Sequence, residues 1–289
     1  MNHNIVLVAE TGSDLTPALA AEYGVYLVPM HVSMGMETLD DGAFPVERVC
    51  EYYDRTGKVP QTSASGPADF ERVFDEIHQT WPEKQILHMA YSAVTTCSYQ
   101  NALLAAEGRG YVTSVDTKHV SAGQATVVLE VARFLSEHPD CGIQEAADYA
   151  QKTAAGIQMC FIPRNLDYLR AGGRVSNVVA LTGNLLGLHP CIEILGGKLM
   201  AKKKYRGTID RIIPRLIRDF SEKHALDKKQ LYLIWSPGLS DVSRSIAEET
   251  VRELGFERFT WVKTGCVITS HGGPGCFGIV GAACEGAAE

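Results

Sequence analysis

The sequence predicts an α/β protein, with a parallel sheet covered by helices over residues 1–155 and a smaller mixed α+β domain over residues 156–289. Three observations carry this. The chain has 289 residues, about twice a usual domain length, which points to one large or two medium domains. Short β-branched runs alternate with helical periodicity through the first half, the pattern of strands joined by crossover helices. Gly, Pro and Cys cluster at His138 to Gly142, and beyond them the order of elements changes.

Taken in order, Ile5 to Val8 reads as the first strand, Pro17 to Tyr23 as a helix and Val25 to Val32 as a strand, with a further run at Val46 to Tyr53. Phe70, Val73, Phe74 and Ile77 recur at i, i+3, i+4 and i+7, one apolar helical face, and Pro67 suits its first turn. Strands follow at Gln85 to Met89 and Tyr111 to Val115, with helices at Tyr99 to Ala106, Gly123 to Ser136 and Gln144 to Ala155. The second half predicts a strand at Ile157 to Ile162 and helices at Leu166 to Arg170 and Asn177 to Leu186. A hairpin follows, Cys191 to Leu195 with Lys198 to Lys204, turned by Gly196-Gly197. A helical stripe runs from Ile209 to Phe220, then come strand Gln230 to Trp235 and helix Val242 to Leu254. Apolar runs at Phe259 to Thr269 and Gly278 to Ala283 close the chain.

Hydrophobic residues make up 45% and charged residues 21%, which excludes disorder, collagen and coiled coil. The 34 acidic against 27 basic residues give a net charge of −7. That balance opposes the phosphate neutralisation on which nucleic-acid binders depend, so no nucleic-acid partner is expected. The start of the chain has no basic region ahead of its apolar run, so it reads as a strand and not a signal peptide, and a cytoplasmic protein is expected. Eight scattered cysteines without a Cys-x-x-Cys pair suit reduced, mostly buried thiols. The uncharged stretches Gln85 to Ala106, Val175 to Ile192 and Thr264 to Cys284 carry too many polar side chains or Gly and Pro breaks for a lipid-facing helix. No integral membrane segment is expected, and these stretches read as neutral interior, ligand-facing in part.

Gly-x-Ser-x-Gly, His-Glu-x-x-His and Walker A motifs are absent. Gly273-x-Gly275-x-x-Gly278 matches a dinucleotide pattern formally, but it contains Pro274 and leaves no room for the ribose-binding acid about 20 residues on. His119 to Gly123 resembles a nucleophile elbow, yet His stands where that strained turn needs Gly, and a helix cap explains it better. What remains is a set of hydroxyls and one histidine: Thr62-Ser63-Ala64-Ser65, Ser92 to Gln100 including Ser98, and Ser270-His271-Gly272-Gly273. Singly, each is a turn or helix cap. Together, with two of them where a strand runs into a helix, they suggest a cradle of neutral donors for one small anion.

The chain also resembles the DegV family of bacterial fatty-acid-binding proteins. The pieces that carry the resemblance are Ser13-Asp14-Leu15, Val28-Pro29-Met30, Asp40-Asp41-Gly42, Thr62-Ser63, Ser92 with Tyr99-Gln100, Ala171-Gly172-Gly173-Arg174-Val175, Gly196-Gly197-Lys198-Leu199 and His271-Gly272-Gly273-Pro274-Gly275, in that order. The resemblance implies a Rossmann-like domain and a smaller α/β domain with a ligand tunnel at their junction. It also implies a cytoplasmic lipid carrier in phospholipid metabolism that is not itself an enzyme and needs no cofactor or metal. Its ligand would be one long-chain fatty acid, palmitate- or oleate-like. By the same resemblance Thr62, Ser63, Ser92, Ser98, His271 and Gly272 bind the ligand; where the family usually has two serines this chain has Ser92-Ala93.

Burying some 14 methylenes of such a tail, at about 0.8 kcal/mol each, supplies roughly 11 kcal/mol before ordering costs. A hydroxyl contact to the head adds about 1.5–3 kcal/mol at most. The tail therefore supplies affinity and the head contacts supply orientation. The resemblance further implies a fatty acid kinase that phosphorylates the bound carboxylate, with Arg174 and Arg206 facing phosphate or kinase. Read without the resemblance, Arg174 is a solvated arginine after a helix cap, and the basic run ending at Arg206 is a protected edge strand. The alternative from another class is an acyl hydrolase with Ser92 or Ser121 as nucleophile and His271 as base.

Overall fold

The structure, a computed structural model, describes residues 4–164, 166–175 and 187–284. The predicted helix Asn177 to Leu186 lies outside them. β1 (Ile5–Glu10) is buried at every position, as a run of apolar residues demands of a central parallel strand. A single turn of 3-10 helix (Thr11–Ser13) leads to α1 (Pro17–Glu22), which starts on Pro17 and is capped by the Thr16 hydroxyl accepting from Leu19 N–H at 3.2 Å.

The expected strand Val25 to Val32 is in fact two. β2 (Val25–Val28) pairs with β1, and β3 (His31–Met34) leaves for another sheet. Pro29 stands between them, without an N–H to continue a ladder. β3 pairs antiparallel with β4 (Glu37–Asp40) on one side and with β5 (Gln61–Ser63) on the other. This small sheet was not read from the sequence. α2 (Glu47–Thr56) lies between β4 and β5, and α3 (Pro67–Thr80) follows, burying the Phe70, Val73, Phe74 and Ile77 stripe.

β6 (Gln85–Ala90), α4 (Ser98–Ala106) and β7 (Val112–Asp116) complete a parallel sheet of order β2-β1-β6-β7. α5 (Ser121–Glu137) carries no charge before Glu130 and is buried on nearly every side. It touches β1 and β6 of this sheet, and also β8 (Ile157–Ile162) and β13 (Phe277–Ala283) of the next, so a helix apolar all round is what the position requires. α6 (Ile143–Gly156) packs on α5 and leads into β8, and α7 (Leu166–Gly172) comes next.

The hairpin is β9 (Leu188–Leu195) and β10 (Lys198–Arg206), turned by Gly196 and Gly197 at φ 54° and 83°, values that an L side chain resists. α8 (Ile209–Lys223), β11 (Leu226–Trp235), α9 (Asp241–Glu253), β12 (Phe259–Lys263) and α10 (Cys266–Gly272) precede β13. The mixed second sheet runs β10-β9-β8-β13-β11-β12, with α8 against β13. Its largest interior cluster is continuous with that of the parallel sheet, joining Leu87, Met89 and Val128 to Met159, Ile192 and Ile234. No helix among the described residues is long and apolar enough to cross a membrane.

Candidate functional site

Thr62 sits on β5 opposite Val32 of β3, and His271 sits in the last turn of α10, which packs against both strands. Their side chains meet: Thr62 Oγ1 and His271 Nε2 are 2.8 Å apart. Burial, and then the nearby Arg174 charge, hold the His271 imidazole at a pKa of about 4, so it is neutral at physiological pH. Its Nδ1 has no hydrogen-bond partner among the described residues. Gly172, at the end of α7, allows the ring in: a Cβ there would lie 2.4 Å from His271 Nδ1.

Two buried carboxylates from the first half hold the other end of α10. Asp14 accepts from Gly265 N–H at 2.7 Å, and Asp41 accepts from Cys266 N–H at 2.8 Å. Asp14 also accepts a short bond from the Ser121 hydroxyl. Burial, reinforced by the Asp41 charge, pushes the Asp14 carboxyl up to about 8, and burial raises Asp41 as well. Glu10, fully buried at the end of β1, accepts from Tyr91 N–H at 2.9 Å and from Gln124 Nε2 at 2.7 Å, which fixes the backbone at Tyr91.

Thr62 and His271 border one cavity, whose empty space with its open mouth included is about 910 Å³. Its wall is mostly apolar, with Met30, Tyr91, Val120, Phe161, Leu169 and Ile268 among the contributors. Thr62, Ser63, Arg174, His271 and Gly272 all line it. Arg174 is exposed there and donates from Nη1 to Gly172 O at 2.6 Å.

Other expected residues are placed differently. The Ser92 hydroxyl is buried and donates to Gly197 O at 2.8 Å, tying the loop after β6 to the β9-β10 turn. Ser98 opens α4 with its hydroxyl buried and unpartnered among the described residues. Neither is among the lining residues, and Arg206, exposed at the end of β10, is away from the cavity. Thr95 and Thr96 do line it and were not singled out from the sequence. The signal available was their place in the polar run beginning at Ser92. No group of three His, Cys, Asp or Glu side chains among the described residues could hold a metal ion.

The description "Uncharacterised protein, DegV family" matches residues 4–283. A DegV domain-containing protein of Caldanaerobacter subterraneus is 26% identical over 281 residues, spanning 95% of this chain and 97% of the relative. A DegV family protein of Thermus thermophilus, described for its fatty-acid binding, superposes with a TM-score of 0.86 at 25% identity, over 97% of this chain and 99% of that one. A DegV family protein of Eubacterium eligens loaded with heptadecanoic acid shares the fold at 17% identity and a TM-score of 0.82, over 97% of this chain and 100% of its own.

Proposed function

The chain belongs to the DegV family, and on that premise we propose that it encloses one long-chain fatty acid, palmitate- or oleate-like, and presents the carboxylate to a partner fatty acid kinase. The observation that carries the reading is a neutral imidazole bonded to a threonine hydroxyl in the wall of a mostly apolar cavity. The tail takes the apolar wall and the head takes Thr62 and His271. Thr62 comes from residues 1–155 and His271 from residues 156–289, so the ligand lies between two domains divided there.

A carboxylate only accepts hydrogen bonds, so Thr62 must give it the hydroxyl proton. His271 then donates Nε2–H to Thr62 Oγ1, and its Nδ1 carries no proton. That order costs no buried cation, whose desolvation would offset much of its attraction for the head. In the kinase step, a carboxylate oxygen attacks the γ-phosphorus of the kinase's ATP, ADP leaves, and an acyl phosphate forms. Arg174, exposed at the cavity, is assigned to the new phosphate, and Arg206 to the kinase surface. The protein supplies orientation and no bond-making group of its own.

The acyl-hydrolase reading finds less support. His271 Nδ1 has no partner among the described residues where a triad needs an orienting acid, and the Ser92 and Ser121 hydroxyls are held by Gly197 and Asp14.

Native mass spectrometry of freshly purified protein is expected to show an added mass of fatty-acid size. Protein that is empty and also fails to take up palmitate or oleate would refute the carrier reading. Thr62→Ala is expected to weaken holding about tenfold, as one hydrogen bond to a charged group implies, and to reduce phosphorylation by the kinase further.

A further inference from the structure

We infer that Thr96 is the second hydroxyl donor to the fatty-acid carboxylate, reaching the cavity from the loop between β6 and α4; this rests on the carrier reading. A buried carboxylate has two oxygens to satisfy, and the His271–Thr62 relay delivers one hydroxyl proton. Among the loop's serines and threonines no other is free: Ser92 gives its proton to Gly197 O, and Thr95 donates to Ser92 O at 2.9 Å.

The same accounting removes three other hydroxyls that border the cavity. Ser121 donates to Asp14, Ser236 donates to Gly273 O at 2.7 Å, and Thr264 is paired with Thr269 at 2.8 Å. Ser63, exposed at the end of β5, and the phenol of the buried Tyr91 also border the cavity. Thr96 is different. Its Oγ1 accepts from Ser98 N–H at 3.4 Å, which uses a lone pair and leaves the proton to give.

The loop is also built to hold this position. Thr95 closes a turn on Ser92 O with both its N–H and its hydroxyl, and Asp116 accepts from Ala93 N–H at 3.2 Å. Thr96, half-buried after that turn, faces the cavity with little freedom to lose. Two hydroxyls on separate elements, one per oxygen, fix the plane of the carboxylate, which a single contact would leave free to rotate.

The test loads wild type, Thr96→Val, Thr96→Ala and Thr96→Ser with oleate labelled with ¹³C at its carboxyl carbon. It follows the carboxyl resonance against pH and the rate of transfer to phosphatidylcholine vesicles. Thr96→Val is expected to titrate its oleate about one pH unit higher than wild type, because the lost donor favoured the charged form. It is also expected to release oleate about tenfold faster. Thr96→Ser should match wild type in both. Thr96→Ala is read in the same way if the valine variant folds poorly. If wild type loads and either hydroxyl-free variant titrates and releases as wild type does, the inference is overturned. Wild type that never loads would instead remove the carrier reading beneath it.

Discussion

Gly172→Ala is expected to release fatty acid some tenfold to a hundredfold faster than wild type while leaving the helix content of the protein unchanged. The added Cβ would lie 2.4 Å from His271 Nδ1 and 3.3 Å from Cε1, so the ring has to move. It has little room. The residue after it, Gly272, lies against Cys276, and Gly273 lies against the Tyr168 ring, so α10 cannot slide aside. A shift of about 1 Å would break the 2.8 Å bond to Thr62 and end the proton relay to the carboxylate. Overpacking of this kind costs about 1–3 kcal/mol, and the unpaired hydroxyl and imidazole add a similar amount. The backbone itself tolerates alanine, because Gly172 is not among the positive-φ residues. Gly173 is the control: at φ 62° with nothing within 4 Å, its alanine variant strains the backbone without touching His271. Transfer to vesicles should therefore separate the two, fast for Gly172→Ala and near wild type for Gly173→Ala. Equal rates would mean that His271 does not hold the head.

Much of this frame is legible in the sequence because a single periodicity accounts for it. The apolar run at β1, the stripe in α3 and the glycine pair between β9 and β10 each face one consistent environment, so pattern and structure agree. β3 and β5 were not legible: at four and three residues they are too short for an alternation to emerge, and the apolar residues on both sides of Pro29 run together as one stretch. α10 was hidden for another reason. Cys266–Gly272 has no charged residue and is buried at most positions, so it shows no amphipathic stripe.

At the site, residue type was readable and hydrogen-bond commitment was not. Thr62 and Ser92 look alike as hydroxyls in polar runs, yet one meets His271 and the other is spent on Gly197, a partner 105 residues away. The Asp14 and Asp41 clasp on α10 joins groups more than 200 residues apart, a separation no local pattern reports.

Asp14→Asn is expected to gain stability on wild type as pH rises from about 4 to about 8, and to keep a constant advantage above that. The sign follows from the buried carboxyl. Asp14 titrates near 8 in the folded protein against an ordinary 3.8, so over that interval the unfolded chain has lost a proton that the folded chain still holds. Folding then becomes less favourable with each step in pH, until Asp14 itself ionises. About four pH units of such difference correspond to something on the order of 5 kcal/mol. Asparagine stays uncharged at every pH, and its carbonyl can still accept from Gly265 N–H. It also suits the left-handed backbone that Asp14 adopts at φ 60°. The two proteins should therefore melt alike near pH 4, with the variant ahead by ~10 °C near pH 8. His271 works in the opposite sense, its depressed pKa costing stability as pH falls from 6.5 toward 4. It does so equally in both proteins and cancels in the difference. Thermal melts of the pair across pH 4–9 measure that difference directly. A gap that stays flat, or that narrows as pH rises, would mean that Asp14 is ionised in the folded protein throughout. α10, and His271 with it, would then hang on a salt-like anchor in place of a shared proton.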